Sequence, residues 1–543
     1  MDLFKNILKD TNNLPSYVSA YGWIPFVIVI LLTFVFSALF VRHFWCRYER
    51  DRCAAVASTI GLTIALLASF LLPLDVFLVS YMKNPDGSFK EWATNSTRES
   101  LEHTVTNTYY SLYGIIFFYS FLVLPFVYFC YEEKDDDQGN AVNVVPAAIA
   151  YTLVFLLVVS ALLLAGAFIR FKAPPPQNST QWDKIEFIVL ELAENRGADA
   201  VAFTVNVLTI YGMLNLILYT SIGMATFPIN LIKGFRSLSD EEVVLSENQA
   251  ANEAKINALK SKQSTRSLSS REVAALSDLE EEESLISRRA LLLETEKKSI
   301  FHKCGPFLRI FSAIGGCIGI IFSLIFCSSL LLANIDRLMH SLGYKMGYAL
   351  KENYIQNPLD FIMVEAQKVF PLDYILFFFN ILFLVMSTVS GMRYLGVCCL
   401  CIPMYKVRPS RTPPQGLIML CFILMFCILA FHILVYFVVP TYTVFGSQYY
   451  CEVNNGTSCD LKACTLNAPS EDCVMTRGAT FILTFAYKAW IFAATYFWMT
   501  WVFLAGFLFG LIMTVVRSKR SVLEEAIDRD DFDDSFDDRM LRA

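Results

Sequence analysis

Nine uninterrupted apolar stretches, each long enough to cross a hydrocarbon core that takes about 20 helical residues, constrain this chain more than any other feature. In lipid every backbone N–H and C=O must be paired within the protein, so runs of this length specify membrane helices. The stretches fall near 22–41, 54–82, 108–131, 145–168, 201–231, 307–333, 372–392, 415–439 and 482–516. The expected fold class is therefore all-α, a polytopic helical membrane protein of nine spans. Composition agrees, with 55% hydrophobic residues and a mean hydropathy of +0.48. The net charge of -6 sits in loops and tail. No arginine-rich block or basic domain is visible, which argues against a nucleic-acid partner. The first residues, Met1 to Ser19, lack the layout of a cleaved leader and read as a mature tail ahead of a signal anchor.

Lysine and arginine set the expected orientation. Arg42, Arg47, Arg50 and Arg52 follow the first span, Arg393, Lys406, Arg408 and Arg411 the seventh, and Arg517, Lys519 and Arg520 the ninth. This bias puts the N-terminus in the lumen and the C-terminus in the cytosol. The chain then divides into a five-span bundle (1–232), a cytosolic helical segment (233–304), a four-span bundle (305–516) with a luminal loop at 440–481, and an acidic, disordered cytosolic tail (517–543). In the cytosolic segment, leucines and alanines at helical spacing predict one or two surface helices that break at the Ser264–Ser270 patch.

The loop YCEVNNGTSCDLKACTLNAPSEDC holds Cys451, Cys459, Cys464 and Cys473 around the glycosylation sequon at Asn455. Spacings of eight, five and nine residues contain no C-x2-C pair and no nearby histidine, which favours two disulfides over zinc. Four cysteines allow three pairings, and all three stay open. Disulfides and glycans both belong to a lumen. The sequons at Asn95 and Asn178 fall on the same predicted face as Asn455, after spans two, four and eight.

Few residues bear chemistry. There is no G-x-x-x-x-G-K-[ST] loop and no H-E-x-x-H helix, and only five histidines, so the expectation is no enzyme, no catalytic residue and no metal site. A short PLD echo places Asp360 and Asp373 in what read as first helical turns. Asp75 lies inside the second apolar stretch beside Pro73. Either it pairs inside the bundle or the helix ends near Pro73 and the rest lies along the surface; the proline favours the second reading. His432 in the eighth span reads as a neutral imidazole bonded to a neighbouring helix rather than a proton relay. Lys488 can snorkel to the interface. Gly315 with Gly319, and Gly506 with Gly510, are GxxxG pairs that permit close helix approach, including in a homodimer. Glu281 with Leu285 and Ile286 has the form of an acidic dileucine sorting signal for a clathrin adaptor, or else is a packed helix face. Cys398, Cys399 and Cys401 are possible palmitoylation sites.

Six stretches together resemble a known family: LLPLDVFLVSYMKN from Leu71, PFVYFCYEEKDDD from Pro125, PINLIKG from Pro228, VFPLDYIL from Val369, FGSQ from Phe445 and APSEDCVMTR from Ala468. The chain is similar in these to the limb-region and lipocalin-receptor-like membrane family. The resemblance implies a glycosylated, multi-pass protein of the lysosomal membrane, with the plasma membrane as a second location. It further implies a part in export of cobalamin, the cobalt vitamin B12, alongside an ABC transporter and a cytosolic cobalamin chaperone, with cobalamin as a transported ligand and no covalent cofactor. Within that frame the chain could escort the transporter, carry cobalamin itself, or act as an endocytic receptor.

Overall fold

The computed structural model describes residues 24–46, 51–84, 86–136, 144–168, 198–234, 238–265, parts of 272–290, 305–344, 347–350, 354–367, 369, 371–399, 402–454, 458–464, 468, 472–486 and 490–517. Among these, nine helical stretches are long and apolar enough to cross a membrane. The described residues form helices and loops except for two short antiparallel hairpins.

In chain order the helices are α1 (Ile24–Phe44), α2 (Arg52–Tyr81), α3 (Asn95–Phe118), α4 (Leu124–Asp136), α5 (Val144–Phe168), α6 (Ala198–Asn215), α7 (Ser221–Lys233) and α8 (Leu238–Thr265). They continue as α9 (Gly305–His340), α10 (Pro358–Ala366), α11 (Leu372–Leu395), α12 (Pro414–Val438), α13 (Pro440–Phe445), α14 (Arg477–Ala486) and α15 (Trp490–Val516). The strands are β1 (Val397–Cys399), β2 (Ile402–Tyr405), β3 (Tyr449–Asn454) and β4 (Ser458–Ala463). Local chemistry explains the boundaries. Asp51 caps α2 by accepting from the Cys53 N–H at 2.9 Å, Thr94 caps α3, and Pro358 and Pro414 open α10 and α12, where a missing N–H leaves no intrahelical bond unmade. A π-helical turn, Tyr119–Val123, joins α3 to α4, closed by the Leu124 N–H on the Tyr119 carbonyl. Pro125 follows at once, and the widened turn absorbs the bond that a proline cannot donate. A second such turn, Leu216–Thr220, joins α6 to α7.

The third span is longer than the apolar run predicts: α3 begins at Asn95, and its polar first turns extend the rod beyond the greasy core. The second span corrects the reading that the helix stops at Pro73. α2 runs unbroken to Tyr81, with Asp75 buried inside the bundle, where partners on two other helices donate to one of its carboxylate oxygens. Asp360 and Asp373 do lie in the first turns of α10 and α11.

The chain forms two compact units, one within Met1–Thr226 and Phe322–Leu511, the other within Phe227–Ile321 and Ile512–Ala543. At the centre of the first lies α12, 78% of whose most apolar window is buried, against 17% for the peripheral span Val144–Ala161. α12 packs on α2, α4 and α6. A second seam joins the α6–α7 turn to α11. A Cβ on Gly223 would overlap the Ser387 carbonyl and one on Gly391 the Tyr219 carbonyl, so only glycine lets these backbones touch. Between them the Thr220 and Thr388 hydroxyls share a hydrogen bond of 2.7 Å.

In the second unit, α8 ends at Thr265, where the serine-rich patch begins. Asn252 on α8 donates to the Leu279 carbonyl at 2.9 Å, and Leu245, Ile256 and Ile286 are buried. Lys233 closes the last turn of α15 by donating to the carbonyls of Thr514 at 2.6 Å and Arg517 at 2.7 Å, a cation meeting the negative end of a helix.

Candidate functional site

Several buried polar groups of the first unit bond to one another across helices. Asp75 is the centre of one cluster. Its Oδ2 accepts from the Gly478 N–H on α14 at 2.7 Å and from the Tyr109 hydroxyl on α3 at 3.2 Å. The side chain is 1% exposed, and Oδ1 has no hydrogen-bond partner. Glycine at 478 matters, since a Cβ there would lie 2.7 Å from the Tyr109 oxygen and 2.8 Å from Leu72. Arg477, beside it, forms an ion pair with Glu102 on α3. One carboxylate therefore ties α2, α3 and α14 together through charge-assisted bonds, which are stronger than neutral ones.

One turn along α3, the Tyr113 hydroxyl lies 3.0 Å from Nδ1 of His432 on α12. His432 is buried and bonded to a neighbouring helix, a structural arrangement for an intramembrane imidazole. Between α6 and α15, the Tyr496 hydroxyl donates to Asn206 Oδ1 at 2.7 Å. Tyr113 and Asn206 also face an apolar cavity of about 320 Å³, walled by Phe117, Met425, Phe426 and Phe481 among others.

Loops beyond the helices are tightly bonded. Gln448 is buried; its amide donates to the Phe445 carbonyl at 2.8 Å and the Val474 carbonyl at 2.7 Å while accepting from the Val474 N–H at 3.0 Å. Lys83 donates to the Tyr449 carbonyl at 2.8 Å and sits 4.7 Å from the centre of the Phe89 ring; burial pushes its pKa down. Tyr442 on α13 donates to Asp373 at 2.9 Å. Burial pushes the neighbouring Asp360 carboxyl up to about 6, against bonds from Thr441 and Tyr442 that pull the other way.

Cys464 and Cys473 are joined by a disulfide with their Cα atoms 5.9 Å apart, and Cys451 on β3 is disulfide-bonded as well. Cys459 lies on β4, opposite Val453, and its side chain lies outside the described residues. Asn95 is exposed at the start of α3. Asn178, Asn455, Glu281, Leu285, Cys401 and Lys488 lie outside the described residues, whereas Ile286 is 4% exposed. Cys398 and Cys399 form part of β1. Gly506 and Gly510 pack against Ser221 and Ile222 on α7, while a Cβ on Gly315 would meet nothing within 4 Å. No group of three metal-binding side chains occurs among the described residues.

Sequence reasoning singled out Asp75 and His432 but not Tyr109, Tyr113, Asn206, Gln448 or Gly478. The available signal was the i, i+4 spacing of Tyr109 and Tyr113, which puts two hydroxyls on one face of a helix already crossing the membrane.

A family model for the LMBR1-like membrane protein matches residues 22–293. This chain belongs to the LMBR1-like membrane protein family. Full-length relatives agree with that assignment. A protein of Nematostella vectensis named probable lysosomal cobalamin transporter is 38% identical over 549 residues, covering 98% of this chain and 100% of its own length. Two proteins named lysosomal cobalamin transport escort protein LMBD1 are similarly close. The Danio rerio protein is 38% identical, covering 96% of this chain and 98% of its own, and the Gallus gallus protein is 39% identical, covering 95% and 97%. No solved structure matches this member of the LMBR1-like family.

Proposed function

We propose that this protein works in lysosomal cobalamin transport as a multi-pass protein of the lysosomal membrane, escorting an ABC transporter rather than catalysing a reaction. The names of relatives that align along nearly the whole chain support the cobalamin role. One observation favours escort over conduction. The apolar cavity between α3, α6 and α12, about 320 Å³, stands at the bottom of the roughly 300–1,000 Å³ range that holds drug-sized ligands, and cobalamin is larger than such ligands. Two of the polar side chains that line it are engaged within the bundle, Tyr113 with His432 and Asn206 with Tyr496.

In this reading the disulfide-bearing hairpin end faces the lumen, the segment 233–304 faces the cytosol and offers contacts to a cobalamin chaperone or a clathrin adaptor, and the tail 517–543 is cytosolic. A second reading, direct cobalamin transport, is favoured by the name of the Nematostella vectensis relative. Two experiments separate them. Cobalamin flux is measured in proteoliposomes holding this protein alone, the ABC partner alone, and both; escort predicts flux with the partner alone. In cells lacking this protein, an ABC partner with its own lysosomal targeting signal restores cytosolic cobalamin. If that partner reaches lysosomes at normal abundance and cobalamin still accumulates there, direct transport becomes the better account.

A further inference from the structure

A groove of about 860 Å³ runs between α1 and α2 at the end opposite the β3–β4 hairpin. Its walls change character along its length. Phe34, Ala38, Val56 and Ile60 line the part that lies within the spans, and Arg42 and Arg52 stand at the mouth. Both arginines are exposed, and neither makes an ion pair with a described residue. Among the described residues no acidic side chain lines the groove. Asp51, the acid next to Arg52, is committed to capping the Cys53 N–H at 2.9 Å and lies 3.8 Å from Lys134.

The mouth is edged by a loop from far along the chain, bonded to the end of α1. Ser410 N–H donates to the His43 carbonyl at 2.9 Å, Thr412 N–H to the Phe44 carbonyl at 3.0 Å, and Cys46 N–H to the Thr412 carbonyl at 3.2 Å. Ser410, which lines the groove, has a φ of 59°, a left-handed conformation that side chains other than glycine rarely adopt. Such backbone persists where the surroundings over-determine it, commonly at ligand clamps.

We infer that this groove is a binding site for an anionic glycerophospholipid, with its phosphate between Arg42 and Arg52 and an acyl chain against Phe34 and Ile60. An apolar trough that ends in two guanidiniums without an ion-pair partner among the described residues matches that one class of molecule. The trough excludes a soluble phosphate ester as the occupant that fills it, and the two arginines favour a headgroup of net negative charge over a zwitterionic one of net zero charge. Basic pockets between spans select anionic headgroups for this reason, and guanidinium grips phosphate in two-pronged fashion. The inference needs only that α1 and α2 cross the membrane, so it stands or falls apart from the cobalamin reading.

The test uses the full chain in detergent, exchanged with phosphatidylserine or phosphatidylcholine and examined by native mass spectrometry. The wild type retains phosphatidylserine in preference to phosphatidylcholine. The Arg42→Gln/Arg52→Gln variant loses that preference by about thirtyfold, the loss expected of two basic residues at a membrane surface. A phosphatidylserine with a photoreactive acyl chain crosslinks to peptides of α1 and α2, and Ala38→Trp, which fills the trough and leaves both charges, abolishes the crosslink. Equal retention of the two lipids by the wild type overturns the proposal, whether or not the arginine variant folds. So do crosslinks spread evenly around the bundle, which mean a lipid annulus rather than a site.

Discussion

At the scale of single residues, Asp75 shows how a carboxylate comes to be tolerated inside an apolar helix. Its Oδ2 takes two donors, the Gly478 N–H and the Tyr109 hydroxyl. Asp75→Ala leaves both unpaired, at about 1–3 kcal/mol each, so the variant should unfold well below the wild type in a detergent melting experiment. Asp75→Asn keeps an acceptor for the Gly478 N–H and should lose clearly less; equal losses for the two would show that the carbonyl-type oxygen is not what matters. Asp360 supplies a pH dependence. Burial raises its pKa from 3.8 to about 6, so the folded state binds that proton more tightly than the unfolded chain does. The favourable contribution is complete below the unfolded value and is lost as pH rises through the folded one, so stability falls between about 4 and about 6. Asp360→Asn should flatten the melting temperature across this window, and an unchanged slope would assign the dependence to another group. None of these partners could be read from the chain, because Tyr109 lies 34 residues from Asp75 and Gly478 lies 403. Periodicity reports which face of a helix is buried, not which distant side chain meets it.

At the scale of elements, the sequence-legible part was the existence and type of each span, since apolar runs of this length have one solution in lipid. The extension of α3 back to Asn95 escaped because its first turns are polar, and hydropathy cannot separate a polar helix from a polar loop. The β3–β4 hairpin escaped because a cysteine-rich stretch announces bridges and says little about backbone. The glycine seam escaped because GxxxG spacing drew notice to Gly315, which touches nothing, while Gly223 and Gly391 sit in unremarkable surroundings. Gly391→Val should therefore destabilise by about 3 kcal/mol or more through overlap with the Tyr219 carbonyl, whereas Gly315→Val should stay within about 1 kcal/mol. Monodispersity after purification and melting temperature check both, and equal effects would remove the seam's privilege. In the segment 233–304, the burial of Ile286 supports a packed face. Leu285→Ala/Ile286→Ala should then lower abundance by a few-fold at unchanged location in quantitative imaging, while movement to the cell surface would make the pair a sorting signal.

At the scale of the whole molecule, topology carries the widest consequence. Glycans on Asn95, Asn178 and Asn455, each removed by its Asn→Gln variant with a step in gel mobility, would place three loops in one compartment. Protease cleavage within 233–304 in intact vesicles would place that segment in the other; protection would break the nine-span order. The same order of spans bears on the seam between the α6–α7 turn and α11, through the time it takes to make the protein. Gly391 is translated about 170 residues after Gly223, roughly 10–30 s later at synthesis rates of about 5–20 residues per second. For that interval the first five spans carry a bare strip of backbone with no mate, in a bilayer where other helices offer themselves. A nascent chain of this kind carries the strip open until α11 is made, and a product truncated before α11 carries it open for good.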